Sequence, residues 1–124
     1  MILGLGVDIV QISRIEAALK RHGRRFENRL FTAEELAYCR KRPRPALHLA
    51  GRFAAKEAAS KALGTGMRGV SFREIEIIRE PSGRPGLRFH GRAAEVARAL
   101  GVRTAFVSLS HEQGVAVAVV VLEG

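Results

Sequence analysis

The sequence predicts an α+β domain in which helices pack on one side of a mainly antiparallel sheet. Capped and alanine-rich segments with helical spacing fill the first half of the chain, and alternating or fully apolar runs fill much of the second half. No repeat, low-complexity tract or long linker divides the 124 residues. A chain of this length has room for one modest core, so we expect a single domain over residues 1–124.

An apolar run over residues 1–10 predicts the first strand, in which Gly4 and Gly6 let another backbone segment approach closely. Asp8 places a carboxylate inside this run. A buried carboxylate is costly unless it is paired or bound to a cation. An exposed strand end, or a cap on the following turn, would be an equally good place for it.

Helix starts are indicated by two Ser/Thr-x-x-Glu capping boxes, and helix ends by single glycines. The third and longest helix is rich in alanine, and Gly64 is suited to its C-terminal cap. Four helical segments are expected: Ser13 to about His22, Thr32 to about Arg40, about Ala46 to Leu63, and Gly91 to Leu100.

Period-two alternation predicts that the remaining segments are strands. The last run, residues 115–122, is apolar on both faces and should therefore be central or covered. Residues 81–86 and 111–114 have turn composition. The expected strands are residues 70–77 with an irregularity inside, residues 87–90, residues 105–110 and residues 115–122.

The chain is strongly basic, with 21 Lys and Arg against 12 Asp and Glu, a net charge of +9 and a pI near 11.2. Such a protein attracts polyanions: nucleic acid, anionic lipid, phosphorylated ligands or an acidic protein. Much of the excess lies between Arg14 and Arg44. A solvated surface rich in arginine would explain why the basic residues are mostly arginine. It would not explain why the positive charge is concentrated in this segment.

Cys39 is the only cysteine, which excludes an internal disulfide and suits a reducing, cytoplasmic setting. The N-terminus lacks the basic start and cleavage site of a signal peptide, and the apolar run at 115–122 is too short to cross a bilayer. We therefore expect a cytoplasmic protein without a membrane partner.

Asp8 and Glu57 come from different elements, and together they would form a site of hard oxygen ligands. Two carboxylates are too few to enclose calcium, whereas Mg²⁺ keeps several waters and takes further oxygens from a substrate phosphate. Lys61 lies one helical turn beyond Glu57, and the simplest alternative is a surface ion pair between these two residues. Arg52 and His111 add donors suited to a phosphate or pyrophosphate. Neither a Walker loop nor a dinucleotide fingerprint is present.

Three segments carry a family resemblance. They are Gly4-x-Gly6-Val7-Asp8-Ile9, Arg52-Phe53-Ala54-Ala55-Lys56-Glu57-Ala58-x-x-Lys61-Ala62-x-Gly64-Thr65-Gly66, and Ser108-Leu109-Ser110-His111. In order, spacing and chain length they resemble the holo-[acyl-carrier-protein] synthases, the short bacterial type of 4′-phosphopantetheinyl transferase. The chain holds one copy of the unit, so it is similar to the trimeric type rather than to the longer two-unit type.

The resemblance implies a fold and a reaction. The fold would be 4′-phosphopantetheinyl transferase-like. In the reaction, a serine hydroxyl of an apo acyl carrier protein attacks the β-phosphate of coenzyme A, and adenosine 3′,5′-bisphosphate leaves. Asp8 and Glu57 would hold Mg²⁺, and Lys61 would contact the phosphates. Glu57, directly or through a metal-bound water, would be the base.

The resemblance also assigns binding residues and partners. Arg52 and His111 would bind coenzyme A phosphates, and the loop Gly83-Arg84-Pro85 would lie against the adenine end. Glu112 departs from the family, where many relatives carry a small hydroxyl residue, and it suits a phosphate site only if it points away. The first helix would dock the acidic carrier protein through basic residues, namely Arg14, Arg21, Arg24 and Arg25. A homotrimer with sites at subunit interfaces is expected.

Two other functions remain open from the residues alone. The charge by itself favours a nucleic-acid-binding domain, although aromatic residues for base stacking are few and no known module matches. Steep salt-dependent binding to random DNA or RNA, with no gain from Mg²⁺ and coenzyme A, would favour that alternative. A non-enzymatic oligomeric scaffold is the other, and it predicts that loss of Asp8 changes no activity. We expect no nucleic-acid partner.

Overall fold

Five α-helices and five strands follow one another in the computed structural model, which describes residues 1–124. Two short 3₁₀ turns, Gly66–Arg68 and Phe72–Glu74, connect the longest helix to the second strand. In chain order the elements are β1 (Ile2–Gln11), α1 (Ile12–His22), α2 (Arg24–Leu30), α3 (Ala33–Arg40), α4 (Pro45–Leu63), β2 (Ile75–Arg79), β3 (Pro85–Phe89), α5 (Gly91–Leu100), β4 (Thr104–Glu112) and β5 (Val115–Glu123).

The strands form a three-stranded sheet in the order β1-β5-β4 and a separate β2-β3 hairpin, and all pairings are antiparallel. Helix α4 packs across β1 and β5 on one face of the larger sheet. The predicted fold class is therefore confirmed. Strand β5 is central, as its apolar composition on both faces predicts.

Close packing between β1 and α4 explains the two glycines of the first strand. A side chain at Gly4 would overlap the carbonyl oxygen of Ala62, and one at Gly6 would overlap that of Ala58. Both alanines are buried, so small residues on the helix meet missing side chains on the strand. This contact sets how near the side chains of β1 and α4 lie to one another.

The helix predicted from Ser13 to about His22 is confirmed, but its predicted cap at Ser13 is wrong and a short helix that follows it was not predicted. Helix α1 begins at Ile12, and Ser13 makes no cap because β1 leads directly into the first helical turn. The amide of Ile12 donates instead to the carbonyl of Gly114. Helix α2 was not predicted, because its seven residues are mostly charged and contain only two large apolar side chains, Phe26 and Leu30. The Thr32–Glu35 capping box of α3 is confirmed in both of its hydrogen bonds.

The strand predictions hold with shifted ends. The segment before Ile75 is not a strand, because Ser71 and Glu74 form a capping box around a 3₁₀ turn. His111 and Glu112 continue β4, where they pair with Ala116 and Val115. The turn that follows is only two residues long, with positive φ at Gln113 and Gly114. No helix of the structure is both long enough and apolar enough to cross a membrane.

Candidate active site

Helix α4 carries two separate polar stripes, each spaced by four residues. Arg52, Lys56 and Ser60 form one stripe, and all three are buried. Glu57 and Lys61 form the other, at the rim where α4 meets β1. The two stripes face different parts of the molecule, so one helix supplies side chains to two sites.

The rim stripe meets Asp8 of β1 in what we call the carboxylate cluster: Asp8, Glu57 and Lys61. The ammonium of Lys61 donates to the carbonyl of Val7 at 2.9 Å and to Oδ1 of Asp8 at 3.2 Å. Glu57 makes no ion pair with Lys61, so the simple surface-pair alternative does not describe this helix. The structure thus brings all three predicted catalytic residues together.

The carboxylate of Glu57 has no hydrogen-bond or ion-pair partner, although the carbonyl of this residue accepts from the hydroxyl of Ser60 at 2.7 Å. Partial burial, and then the nearby Asp8 carboxylate, raise the pKa of the Glu57 carboxyl above its usual range, and Lys61 opposes this shift. The two acids therefore repel each other in the protein alone. A divalent cation between them would remove that repulsion.

Asp8 and Glu57 suit Mg²⁺ better than they suit a metal whose ligands must all come from the protein. No group of three or more His, Cys, Asp or Glu side chains could enclose an ion anywhere in the chain. Asp8 and Glu57 supply two hard oxygen ligands, which leaves further positions for water and for oxygens of a substrate. These two residues are the ones that could hold the metal.

Arg52, the first residue of the buried stripe, lines a second region, which we call the arginine pocket. It is a cavity of about 210 Å³ at the side of β4. The predicted residues Arg52, Pro85 and His111 all line it. Arg52 is 5 % exposed, and its buried Nε has no hydrogen-bond partner. The remaining lining residues are Tyr38, Leu47, His48, Gly51, Arg79, Leu109, Ser110 and Ala116.

His111 points into the arginine pocket from β4, whereas Glu112 does not line it. Successive residues of a strand point to opposite faces, so Glu112 lies on the other side of the sheet. Glu112 therefore points away from the phosphate site that is predicted at His111. Burial, and then the neighbouring guanidinium groups of Arg52 and Arg42, lower the pKa of His48 below its ordinary value.

The loop residues predicted to contact a cofactor divide between two cavities. Pro85 lines the arginine pocket and also a cavity beside β4. Arg84 lines only the second cavity, where it pairs with Glu80 at 3.3 Å. Gly83 adopts a positive φ in the turn, and its amide donates to the carbonyl of Glu80. Arg84 thus points away from His111 within one chain.

The predicted partner-binding arginines lie on the exposed side of α1 and α2. Arg14 and Arg21 line one shallow groove together with His22, and Arg25 lines the adjoining groove. Arg24 is exposed nearby but lines neither. None of the four pairs with an acidic side chain, so their charge is free to act on an external partner.

Sequence reasoning missed a buried polar junction behind the arginine pocket. Lys56 donates to Glu35 at 2.8 Å and to the carbonyls of Phe72 and Ile75, and Glu35 also accepts from the amide of Ile77. Glu76 accepts from Thr32 and contacts His90. The four-residue spacing of Arg52, Lys56 and Ser60 is the one feature that could have revealed this second stripe.

The carboxylate cluster and the arginine pocket lie at opposite edges of the three-stranded sheet. Asp8 is on β1 and His111 is on β4, with β5 between them. Two strand spacings separate these backbones by roughly 10 Å. Within one chain the two regions are therefore separate groups of side chains, joined by helix α4, which contributes Arg52 to one and Glu57 to the other.

Comparison with known proteins identifies the family. Residues 4–120 match the model of the 4′-phosphopantetheinyl transferase superfamily. The holo-[acyl-carrier-protein] synthase of Koribacter versatilis is 52 % identical over 124 residues, with 99 % of each chain covered. The synthase structure from Neisseria meningitidis has a TM-score of 0.92 at 40 % identity, with 100 % of both chains covered.

A further solved structure bears on the ligand. The Helicobacter pylori holo-[acyl-carrier-protein] synthase in complex with coenzyme A has a TM-score of 0.85 at 35 % identity, covering 96 % of this chain and 99 % of its own. Fold, motifs and relatives agree over nearly the full length. The chain belongs to the 4′-phosphopantetheinyl transferase superfamily, within its holo-[acyl-carrier-protein] synthase group.

Proposed function

We propose that the carboxylate cluster is the site at which this chain transfers 4′-phosphopantetheine from coenzyme A to a serine of an apo acyl carrier protein. Asp8 and Glu57 hold Mg²⁺ there. The observation that carries this proposal is the convergence of Asp8, Glu57 and Lys61 from β1 and α4, with the carboxylate of Glu57 left without a partner.

The transfer moves one phosphoryl centre between two oxygens. The serine oxygen bonds to the β-phosphorus of coenzyme A, and the bond from that phosphorus to the bridging oxygen breaks. Adenosine 3′,5′-bisphosphate leaves with the bond's electrons. The serine proton goes to Glu57, directly or through a water, because an ionised carboxylate within reach of the attacking hydroxyl can act as a general base.

Charge stabilisation is the second requirement, because the leaving group gains negative charge in the transition state. When bound, Mg²⁺ supplies Lewis-acid stabilisation of the diphosphate. Lys61 supplies a fixed positive charge on the same rim, since its ammonium is held by Val7 and Asp8. Its side chain is 52 % exposed, so it is open to a ligand.

The arginine pocket binds a phosphate of coenzyme A. Arg52 and His111 are the residues we assign to it, and Gly83, Arg84 and Pro85 form the loop against the adenine end. What supports this is the cavity lined by Arg52, His111 and Pro85, together with the buried and unpartnered Nε of Arg52. A structure of the relative from Helicobacter pylori contains coenzyme A.

We infer that a complete site uses two copies of the chain, and the placement of the carboxylate cluster and the arginine pocket at opposite edges of one sheet supports this. The outer face of this sheet is apolar and uncovered: Leu5 is 65 %, Ile9 63 % and Phe106 44 % exposed. Such a face favours packing against another copy. We assign it to a homotrimer in which each site is completed by a neighbour.

The acyl carrier protein docks on α1 and α2 beside the cluster. Helix α1 begins four residues after Asp8, so Arg14 and Arg21 lie on the element that continues from the cluster. These arginines, with Arg24 and Arg25, are exposed and unpaired. An acidic carrier protein complements this surface.

Mass spectrometry of an apo carrier protein incubated with the chain, coenzyme A and Mg²⁺ tests the proposal. We expect the mass of one phosphopantetheine group to be added, and we expect Asp8→Ala and Glu57→Ala to abolish the addition without unfolding the chain. Glu95→Ala removes an exposed acid of α5 and serves as the matched control. Full modification by both cluster variants would overturn the assignment.

A further inference from the structure

Tyr38 of α3 lies at the centre of an unusual group of cations. The guanidinium carbons of Arg42, Arg52 and Arg79 lie 4.1, 4.4 and 5.0 Å from the centroid of its ring. Arg79 also donates to the phenolic oxygen. The ring of His48 meets Tyr38 edge-on, with centroids 6.1 Å apart. Four cationic or basic groups from three parts of the chain therefore share one aromatic partner.

None of these three arginines pairs with an acidic side chain. The three positive charges repel one another, and cation–π attraction to the shared aromatic ring offsets part of that repulsion. A surface arginine gains little from such crowding. The grouping is explained if the protein holds the guanidinium groups ready for an anion that arrives later.

The arginine pocket is where that anion would sit. Arg52, Arg79 and His48 line it, and so does the edge of Tyr38. Arg52 is 5 % exposed, its Nη1 donates to the carbonyl of His48 at 3.4 Å, and its buried Nε has no hydrogen-bond partner. Tyr38 carries no charge, and its hydroxyl oxygen accepts from Arg79, so the polar and cation–π contacts it makes in the structure are with the arginines.

We propose that Tyr38 is a positioning residue: its ring packs against Arg52 and Arg79, and its hydroxyl oxygen accepts from Arg79, so both guanidinium groups are held where they can bind a phosphate group. It acts through the arginines. The inference rests on the proposed function, since the phosphate is one carried by coenzyme A. Tyr38 affects the affinity by holding these two arginines through its ring and its hydroxyl oxygen, and not through a hydrogen bond of its own to the ligand.

The first test measures binding of adenosine 3′,5′-bisphosphate by calorimetry, together with KM for coenzyme A and kcat. Tyr38→Leu removes the ring, and we expect about tenfold weaker binding and a matching rise in KM, with kcat within about twofold. Tyr38→Phe keeps the ring and should weaken binding only about threefold. Phe89→Leu, which removes a ring of β3 outside the pocket, is the control.

The second test is a double-mutant cycle that a purely structural role would not satisfy. If the hydroxyl of Tyr38 acts by orienting Arg79, Tyr38→Phe should have no further effect on binding in an Arg79→Gln background. Both changes are conservative, so this cycle remains informative even if Tyr38→Leu fails to fold. Additive effects of the two changes would overturn the proposal.

Arg52→Gln separates this inference from the function on which it rests. If Arg52→Gln binds the bisphosphate as tightly as the parent chain, the phosphate is not held in the arginine pocket, and both the assignment of that pocket and the role of Tyr38 fail. Transfer at the carboxylate cluster is tested separately, by mass spectrometry of the carrier protein. If Arg52→Gln weakens binding while Tyr38→Leu and Tyr38→Phe do not, the pocket assignment stands and the role of Tyr38 is refuted.

Discussion

Two lysines of helix α4, five residues apart, form ion pairs of opposite character. Lys56 is completely buried with Glu35, at 2.8 Å, and donates all its protons to Glu35 and two backbone carbonyls. Lys61 reaches Asp8 at 3.2 Å and remains 52 % exposed. The first lysine is saturated by the protein, and the second retains capacity for a ligand.

The difference shows how one helix separates structure from chemistry. Burial lowers the pKa of Lys56, while the neighbouring Glu35 opposes the shift. The pair joins α3, α4 and β2 and holds α4 in a fixed rotation. That rotation is what directs Glu57 and Lys61 toward Asp8. We therefore expect the two lysines to respond in opposite ways to the same substitution.

Lys61→Met should give the larger effect on activity. Removing a fixed cation from a phosphoryl-transfer site costs on the order of 100-fold in kcat/KM. The free energy of unfolding should change by less than about 1 kcal/mol, because the Lys61–Asp8 pair is half exposed. Steady-state kinetics and chemical denaturation measure the two quantities. An inactive and unfolded variant would contradict the distinction.

Lys56→Met should act mainly on stability. It leaves the Glu35 carboxylate buried and without its cation, which costs about 3–5 kcal/mol. The paired change Glu35→Gln with Lys56→Met removes both charges and keeps a side-chain oxygen for the Ile77 amide, so it should recover part of that loss. Urea denaturation of the parent chain and the two variants tests this. If Lys56→Met unfolds at the same urea concentration as the parent chain, the junction does not have the structural role given to it here.

Arg14 extends the comparison to a cation without any partner. Being exposed on α1, it should contribute to encounter with an acidic carrier protein rather than to stability or chemistry. Arg14→Glu is expected to raise KM for the carrier protein about fivefold to tenfold, and KM for coenzyme A far less. Kinetics at several salt concentrations provide the measurement. Equal effects on both substrates would count against carrier-protein docking at α1.

The smallest expected effect is a shift in the pKa of His48. Its pKa lies below 6.5 because of burial and then the neighbouring arginines. Since the folded chain binds the proton less well than the unfolded chain, this group makes the fold less stable as the pH falls below 6.5. An anion in the arginine pocket should raise the His48 pKa. Titration by NMR, with and without adenosine 3′,5′-bisphosphate, should show the rise; an unchanged midpoint would place the anion elsewhere.

Much of the carboxylate cluster could be predicted because its features are local. Glu57 and Lys61 are four residues apart on a recognisable helix, and Gly4 and Gly6 indicate where a strand packs closely. The Glu35–Lys56 pair could not be predicted, because it joins residues 21 positions apart and depends on how α3 lies against α4. The contacts of Tyr38 with Arg52 and Arg79 could not be predicted either, because they depend on how α3 packs against α4 and β2.

The central claim is that Asp8 and Glu57 together hold one divalent ion. Binding of Mn²⁺ in place of Mg²⁺, measured by electron paramagnetic resonance in the presence of coenzyme A, tests this claim most directly. The parent chain should bind one ion per chain, and Asp8→Asn and Glu57→Gln should each weaken binding by more than about 100-fold. Glu95→Gln should bind as the parent chain does. Unchanged Mn²⁺ affinity in both cluster variants would contradict the account.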